Sequence, residues 1–423
     1  MLRISSLVSV ALFCAGAFTF VWGQGQQAER AQQAAALPEG EGKEIVRTVC
    51  VACHNVNLIT GSAGYTKDQW RNLFSTMIQL SDEQATTASQ YLAANFPPKP
   101  GREPVLVSGP IEVAFKEWVV PTRGQRSRDP VEAPDGSIWW AGQFGNLVGR
   151  LDPKSGDMKE YKLPANALPH SIIADKGGNI WYMGNRNGTV GRLNPSTGEI
   201  KEYPLPVADA RPHTPIFDRD GVLWFTLQQT NMVGRLNPTT GEIKLASIPT
   251  AKADPYGIDI DSKGTLWVAY SNSYKVASVD PTTMAIKEYE VPDHRSKIRR
   301  LAVASDDIIW YVNSTLGKLG RLDPQTGAIK EWPSPSGPES HPYAITIVDD
   351  IIWYNESRRR PDTLVRFDPK SERFQSWPIP SGVGTLRHMR ATRDGNLLIH
   401  QTSTNRIGLV TVGKATGGTG GSR

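Results

Sequence analysis

The sequence predicts a chain of two parts, a small all-α domain followed by an all-β propeller of seven blades. Two observations indicate the propeller: a repeat of 42 or 43 residues fills the chain from residue 107 onward, and 39 glycines and 31 prolines supply the turns that many short strands need. The small domain is indicated by two capped helical segments that follow a Cys-x-x-Cys-His motif.

The N-terminus has the features of an export signal. Arg3 precedes an apolar run of about 20 residues that ends in small residues near Gly23, which is typical of a secretory signal peptide over residues 1–23. The same length would serve as a membrane anchor if the segment stayed uncleaved. The mature chain then keeps two cysteines, Cys50 and Cys53. We expect a periplasmic protein, in a compartment that oxidises thiols.

Cys50, Cys53 and His54 lie together in the stretch RTVCVACHNVN. This spacing is specific for covalent haem, in which both thiols bind the haem vinyl groups and the histidine is the proximal iron ligand. A zinc site would need two more ligands, yet no cysteine follows and the next histidine is His170. A disulfide is the plainer alternative, and a thioredoxin-type pair lacks its βαβ context. We expect one covalent haem c.

Met77 is the candidate for the second axial ligand of the haem iron. Thr66 and Gln69 predict a capping box for a helix that begins at Lys67, and Met77 would share its apolar face with Trp70, seven residues earlier. A thioether is a soft ligand that suits haem iron. A plain core position is the alternative.

A second capping box, from Ser81 to Gln84, predicts a helix that must end at the prolines of FPPKP. With GKEIVRTVCVACH before it and QYLAANF at its end, residues 38–97 resemble a small class I c-type cytochrome. The resemblance implies a haem edge near solvent that passes single electrons to a redox partner protein, a cytochrome or a dehydrogenase. The proline-rich residues 98–106 are expected to form a stiff linker.

Six Ile-Trp or Leu-Trp pairs mark the repeat of residues 107–412. The tryptophans are Trp139, Trp181, Trp224, Trp267, Trp310 and Trp353. A turn phrase such as VGRLNP and an outer phrase such as TGEIKEYPLP follow each pair, with small variations. A period of about 40–45 residues with short alternating runs is typical of a propeller that has one four-stranded blade per repeat.

The seventh repeat, residues 386–412, has Leu398 in the tryptophan position and lacks the outer phrase. That phrase stands before the first blade instead, as FKEWVVP at 115–121. We therefore expect this N-terminal strand to complete the last blade, which closes the ring and removes an open sheet edge. Residues 413–423 are expected to be a disordered tail.

One register differs from blade to blade, ten or eleven residues before each tryptophan position. In blade order it contains Arg128, His170, His213, Tyr256, Arg300, Tyr343, and Arg387 with His388. We call these residues the ring, because each begins the innermost strand of its blade and seven blades would gather them at one mouth of the channel. The ring suits an anion or another polar small molecule, and a water-filled polar lining is the alternative. The repeated tryptophans and Gly-Arg pairs indicate architecture.

The phrases PHSIIADKGGNIWY, PYGIDIDSKGTLWV and GRLNPSTGEIKEYPLP resemble those of the streptogramin B lyase (virginiamycin B lyase) family. The resemblance covers the whole propeller and implies seven blades and a Mg²⁺-assisted elimination that opens the ester of a cyclic depsipeptide. It implies that His170, His213 and Tyr256 form the active site, with His213 as general base and Tyr256 positioning the substrate.

The metal site departs from that family. The resemblance would place its two glutamates at positions that here carry Arg211 and Gln228. Mg²⁺ prefers anionic oxygen ligands, so these residues do not support Mg²⁺ or the antibiotic-lyase activity that depends on it.

The net charge and its distribution along the chain bear on whether the protein binds nucleic acid. The net charge of +5 is spread over interspersed acidic and basic residues, which gives no support to nucleic-acid binding. Three functions stay open, and we favour the first: a haem c protein for electron transfer whose propeller binds a substrate or partner at the ring. The others are a carbon–oxygen lyase and a non-catalytic binding module.

Overall fold

The described residues form two compact units. The computed structural model describes residues 37–51, 56–97, 100–382 and 385–413. One unit lies within residues 1–75 and 79–100, and the other within 76–78 and 101–423. The predicted signal peptide, Cys53, His54 and the predicted tail after Gly413 lie outside the described residues.

The smaller unit is helical. Its elements are α1 (Lys43–Ile45), a π-helical turn that continues it (Val46–Cys50), α2 (Val56–Gly61), α3 (Lys67–Ser75) and α4 (Asp82–Asn95). Both capping boxes are confirmed. The Gln69 N–H donates to Thr66 Oγ1 (3.2 Å) and the Thr66 N–H to Gln69 Oε1 (2.9 Å), and Ser81 and Gln84 exchange the same pair of bonds. Within the described residues, no helix is long and apolar enough to cross a membrane.

Helix α3 ends before Met77, so the predicted place of Met77 on its apolar face is wrong. The Ser75 hydroxyl donates to the Asn72 carbonyl (3.0 Å), and such a local bond competes with a further helical turn. Trp70 and Phe74 are buried on the helix, whereas Met77 lies in the turn that follows and is half-buried. Its role as an iron ligand stays a prediction.

The larger unit is a seven-bladed β-propeller, as the repeat predicts. Its blades, from the innermost strand outward, are β2 to β5 (Ser127–Glu132, Ile138–Gly142, Leu147–Leu151, Met158–Lys162), β6 to β9 (Pro169–Ala174, Ile180–Gly184, Thr189–Leu193, Ile200–Pro204), β10 to β13 (Pro212–Phe217, Leu223–Leu227, Met232–Leu236, Ile243–Ser247), β14 to β17 (Pro255–Ile260, Leu266–Tyr270, Lys275–Val279, Ile286–Glu290), β18 to β21 (Ile298–Val303, Ile309–Asn313, Lys318–Leu322, Ile329–Pro333), β22 to β25 (Pro342–Val348, Ile351–Glu356, Thr363–Asp368, Arg373–Pro378), and β26, β27, β28 and β1 (Arg390–Ala391, Leu397–Gln401, Arg406–Val412, Val113–Val119).

The N-terminal strand closes the ring as predicted. Strand β1 pairs antiparallel with β28 from Val113 opposite Val412 to Val119 opposite Arg406. This pairing gives the seventh blade its fourth strand and covers an edge that would otherwise be open.

The repeated tryptophans hold neighbouring blades together. Trp181 is buried among Leu223 and Phe225 of the next blade, and its indole N–H donates to Asp175 at the end of its own inner strand (2.9 Å). The Gly-Arg pairs also have a packing reason. A Cβ on Gly191 would lie 1.9 Å from the Tyr182 ring, so only glycine lets that ring lie across the strand.

Candidate functional site

A backbone irregularity recurs where the ring residues lie. In six blades the pairing of the two innermost strands shifts register, between Arg128 and Val131, Pro169 and Ile172, Pro212 and Pro215, Pro255 and Ile258, Ile298 and Arg300, and Pro342 and Ile345. A bulge re-aims the side chains beside it. The repeat therefore builds the same bend in each of these blades and varies the side chain that the bend presents.

A left-handed residue precedes the bend in five of the blades, two positions before the ring residue. These residues are Arg126, Leu168, Arg211, Asp254 and His341, with φ between 41° and 59°. The conformation is unusual for residues other than glycine, and it persists where surrounding structure holds it. The same backbone conformation therefore precedes the ring residue in each of these five blades.

Four residues of the ring have aromatic side chains, and the structure places them side by side in an arc. His170 lies against His213 with 3.7 Å between ring centroids, and His213 lies against Tyr256 at 3.9 Å. Tyr256 then meets Tyr343, and their phenol oxygens are 2.5 Å apart. The arc is buried, since none of these side chains is more than 6% exposed. Residues spaced 43 or 87 positions apart in the sequence therefore form one continuous surface.

Both histidines of the arc are neutral at physiological pH. Burial, followed by the charge of Arg128, holds the pKa of His170 well below its ordinary value, and burial with Arg300 does the same for His213. His213 Nδ1 lies 2.8 Å from Thr214 Oγ1. Its Nε2, and Nδ1 of His170, are buried without a hydrogen-bond partner among the described residues. The two imidazoles offer unused nitrogen atoms to a ligand.

Arginines face the arc from neighbouring blades. Arg387 Nη1 donates to the Tyr343 hydroxyl (3.3 Å), and Arg300 Nε donates to the Arg387 carbonyl (2.7 Å). The Arg300 guanidinium lies 5.3 Å from the Tyr256 ring centroid. Arg128, 2% exposed, donates to Gln143 Oε1 (3.0 Å). Guanidinium groups stay protonated, so positive charge is concentrated around the arc.

Asp129 is a counterion that the ring register does not reveal. It is fully buried, with Oδ2 3.2 Å from His388 Nδ1 and 3.7 Å from Arg300 Nη2, and Oδ1 3.8 Å from His400 Nε2. Burial opposes its ionisation, yet the permanent charges of Arg300 and Arg128, together with the hydrogen-bonding contact to His388, hold the pKa of Asp129 well below its usual range. Burial and Arg300 lower the pKa of His388 to about 3, so its imidazole is neutral beside the carboxylate.

The sequence pattern did not identify several residues that contact the ring or act on it electrostatically. They are Arg126, Asp129, Arg299, His341 and His400. The first four lie one or two positions from a ring residue, so adjacency to the variable register was the available signal. His400 comes from β27, and only the closed seventh blade brings it to Asp129.

The positions expected for metal-binding carboxylates do not fit Mg²⁺. The Gln228 N–H donates to the Arg211 carbonyl (3.4 Å), so the two residues are neighbours. One supplies a guanidinium, with Nε 3.8 Å from Asp209, and the other a neutral amide. Among the described residues, no cluster of three or more His, Cys, Asp and Glu could hold a metal ion. A guanidinium repels a cation, and Mg²⁺ takes anionic oxygen ligands.

The propeller is similar to solved lyase structures. A streptogramin B lyase structure is 23% identical over 71% of this chain and 98% of that chain, with a TM-score of 0.65. A catalytically inactive virginiamycin B lyase from Staphylococcus aureus, solved with quinupristin, is 23% identical over 71% and 99%, with a TM-score of 0.64. These likenesses concern the fold.

A second kind of solved structure has a similar fold. The extracellular domain of a one-component system from B. thetaiotaomicron is 15% identical over 67% of this chain and 40% of that chain, with a TM-score of 0.52. No curated protein matches the chain. The model of the Virginiamycin B lyase family matches residues 110–358, more than half of the chain. The chain therefore belongs to the virginiamycin B lyase family.

Proposed function

We propose that this chain is an exported haem c protein for electron transfer whose propeller binds a small oxyanion at the ring. The observation that carries the binding function is a set of buried nitrogens that lack hydrogen-bond partners among the described residues. They are Arg128 Nε, Arg300 Nη2, Arg387 Nε, His170 Nδ1 and His213 Nε2. Buried donors are normally satisfied, so such a set is an anchor for a bound group.

The charge of the ring selects an anion. The charge of one buried carboxylate, Asp129, acts on the guanidinium groups of Arg128, Arg300 and Arg387, so the three positive charges exceed it, and His170 and His213 are neutral. Arginine offers a planar fork of N–H donors that matches a carboxylate, phosphate or sulfate group. A carboxylate-bearing or phosphorylated small molecule therefore fits this mouth better than a cation.

The haem function rests on the Cys-x-x-Cys-His motif and has support in the smaller unit. Cys50 ends the π-helical turn, and the indole N–H of Trp70 is buried without a partner among the described residues. An orphaned buried donor suits a polar group of a bound cofactor. Cys50 and Cys53 would hold the haem, with His54 and Met77 as axial ligands. The haem supplies one-electron chemistry, and its partner would be a cytochrome or a dehydrogenase.

The binding function is tested by calorimetric titration of the full chain, exported with the haem-maturation machinery, with succinate and with sulfate. These probes keep a constant double negative charge at neutral and alkaline pH and represent carboxylate and tetrahedral oxyanions. We expect Arg387→Gln to weaken binding by about tenfold or more. The matched control is Arg295→Gln, an arginine 79% exposed and paired with Asp293 outside the ring. Equal weakening in both variants, or no binding of either probe, would contradict the proposal.

The haem function is tested on the same preparation by its visible spectrum after denaturation. A haem that stays attached to the chain supports the motif, and Cys50→Ser should leave only one thioether bond. A chain that is exported and folded but releases all of its haem on denaturation would refute the covalent cofactor. The oxyanion site would stand without it.

The His170–His213–Tyr256 arc favours a second candidate, a carbon–oxygen lyase that works without a metal. His213 Nε2 would take a proton from the carbon next to the ester-bearing carbon. A C=C bond then forms while the C–O bond breaks, and the carboxylate leaves with the electron pair. An arginine of the ring would stabilise the leaving carboxylate. The protonated imidazole returns its proton to solvent.

This lyase candidate is tested with quinupristin in the presence of a chelator. Elimination opens the ring without a change of mass, whereas hydrolysis adds the mass of one water. A product with altered retention and unchanged mass, abolished by His213→Ala and insensitive to added Mg²⁺, would support the candidate. An intact substrate after prolonged incubation, with and without Mg²⁺, would exclude it.

A further inference from the structure

Tyr256 and Tyr343, two residues of the ring, form a buried pair of phenols. They come from the fourth and sixth blades, lie 87 residues apart in sequence, and share a hydrogen bond of 2.5 Å between their hydroxyl oxygens. They are 3% and 2% exposed. One of the two must donate and the other accept, so the pair has a proton whose position depends on the charges around it.

Positive charge surrounds Tyr343 from several elements. Arg387 Nη1 donates to its hydroxyl (3.3 Å), and the Arg299 guanidinium lies 4.8 Å from its ring centroid. The charges of Arg126 and Arg128 act on it from the first blade. His341, with its ring 5.8 Å from that of Tyr343, is neutral because burial, with Arg358 and Arg299, lowers its pKa to about 3.

The two phenols differ in acidity because Tyr343 receives more of this charge. Burial alone would raise the pKa of Tyr343, but Arg387, Arg299 and the hydrogen bond from Tyr256 lower it to about 8. Burial and the neighbouring Tyr343 raise the pKa of Tyr256 to about 12. When the pair loses one proton, the charge therefore settles on Tyr343 and Tyr256 becomes the donor.

We propose that Tyr343 of the ligand-free protein ionises in alkaline solution to a phenolate that acts as the internal anion of the ring, and that it regains a proton from solvent when an oxyanion binds the same guanidinium groups. This inference rests on the proposed oxyanion site and adds its proton chemistry. The bound anion and a phenolate repel each other, and the arginines can neutralise only part of both. Protonation of Tyr343 removes that repulsion, so one proton enters for each oxyanion bound.

The coupling fixes the sign of the pH dependence. Below the pKa of Tyr343 the phenol is already protonated, so affinity for an oxyanion does not change with pH. Above about pH 8, where the free ring holds a phenolate, binding must also take up a proton. Affinity for succinate or sulfate should then fall about tenfold for each further pH unit.

The first test follows the phenolate absorbance of the ligand-free full chain as pH is raised, with the haem kept in one redox state. We expect one tyrosine to ionise near pH 8. Tyr343→Phe should lose this step, and Tyr256→Phe should move it to higher pH because the donor to the phenolate is gone. Tyr311→Phe is the control, since Tyr311 donates to Glu331 and its pKa is raised. If no phenol ionises below the ordinary tyrosine pKa of about 10, the inference is overturned.

The second test adds succinate or sulfate at about one pH unit above the observed midpoint. Binding should reduce the phenolate absorbance, and calorimetry in buffers of different ionisation enthalpy should count about one proton taken up per anion. A probe that binds with no change in absorbance and no proton uptake overturns the role of Tyr343 and leaves the oxyanion site standing. Absence of binding by both probes, with a phenol that still ionises early, overturns the oxyanion site itself and the coupling with it.

Discussion

Asp129→Asn should destabilise the propeller while it strengthens anion binding. Asp129 Oδ2 lies 3.7 Å from Arg300 Nη2, and both side chains are at most 3% exposed. At an effective dielectric constant of about 20, two unit charges at this distance attract each other by roughly 4.5 kcal/mol. Removal of one partner of a buried ion pair costs about 3–5 kcal/mol, because the remaining charge is left without compensation.

The two effects have opposite signs for one physical reason. Asparagine keeps the shape of the side chain but leaves Arg300 and Arg128 without their counterion, so an exogenous oxyanion gains the attraction that Asp129 provided. We expect urea unfolding of the variant at a lower concentration, a clear gain of affinity for succinate, and partial recovery of stability when succinate is added. Asp293→Asn, in an exposed ion pair with Arg295, is the matched control and should change neither quantity.

A variant that loses both stability and affinity would refute this reasoning, because Asp129 would then merely hold the site together. The dependence of the free energy of unfolding on pH in the acid range gives an independent check. The folded-state pKa of Asp129 is depressed, so its contribution to stability is present above the unfolded-state pKa of about 3.9 and is lost as pH falls below it. Asp129→Asn should therefore remove part of the acid sensitivity of unfolding.

Three further predictions concern the scaffold and the haem. Gly191→Ala should destabilise the second blade by about 1–3 kcal/mol in urea unfolding, because the new Cβ would lie 1.9 Å from the Tyr182 ring; a midpoint equal to wild type would contradict the packing role of the Gly-Arg pairs. A chain that begins at residue 121 lacks β1 and should self-associate in sedimentation experiments through the open edge of β28, whereas a chain that begins at residue 105 keeps β1 and should not associate through that edge. Met77→Ala should lower the reduction potential of the haem in potentiometric titration, with Met158→Ala in strand β5 as the control; an unchanged potential would remove Met77 from the iron.

More of the fold than of the site could be predicted from the sequence. Period, blade number and ring closure could be predicted because each depends on residues that recur, such as Trp181 and its counterparts, or on one phrase that is missing at one end and present at the other. The end of α3 could not be predicted. The Ser75 hydroxyl donates to the Asn72 carbonyl and so competes with the next helical turn, and hydrophobic periodicity does not reveal this hydrogen bond. Met77 was placed wrongly on the helix for this reason.

At the site, the variable register predicted which residues converge but not how they interact. The short bond between Tyr256 and Tyr343 depends on two blades that are not neighbours in sequence, and the charge that acidifies Tyr343 comes largely from Arg387 and Arg299. Asp129 follows a ring residue directly, yet only the closed seventh blade supplies the histidines that contact it. Such features arise from contacts across the channel, which a repeat pattern does not encode.

The metal-site positions that differ from the lyase family and the positive charge of the ring both favour an anionic ligand over a cation. The family resemblance implied carboxylates as Mg²⁺ ligands, and here the corresponding positions hold Arg211 and Gln228, while other guanidinium groups approach Tyr256 and Tyr343. The aromatic arc is compatible with a bound cation or a bound anion, because its histidines are neutral and its phenols can donate or accept hydrogen bonds. With one arginine and one neutral amide at these two positions, and other guanidinium groups beside the arc, the site that we propose would hold an anion directly and without a metal ion. If added Mg²⁺ were found to tighten the binding of succinate, that argument would fail, because the metal would then have ligands that the described residues do not provide.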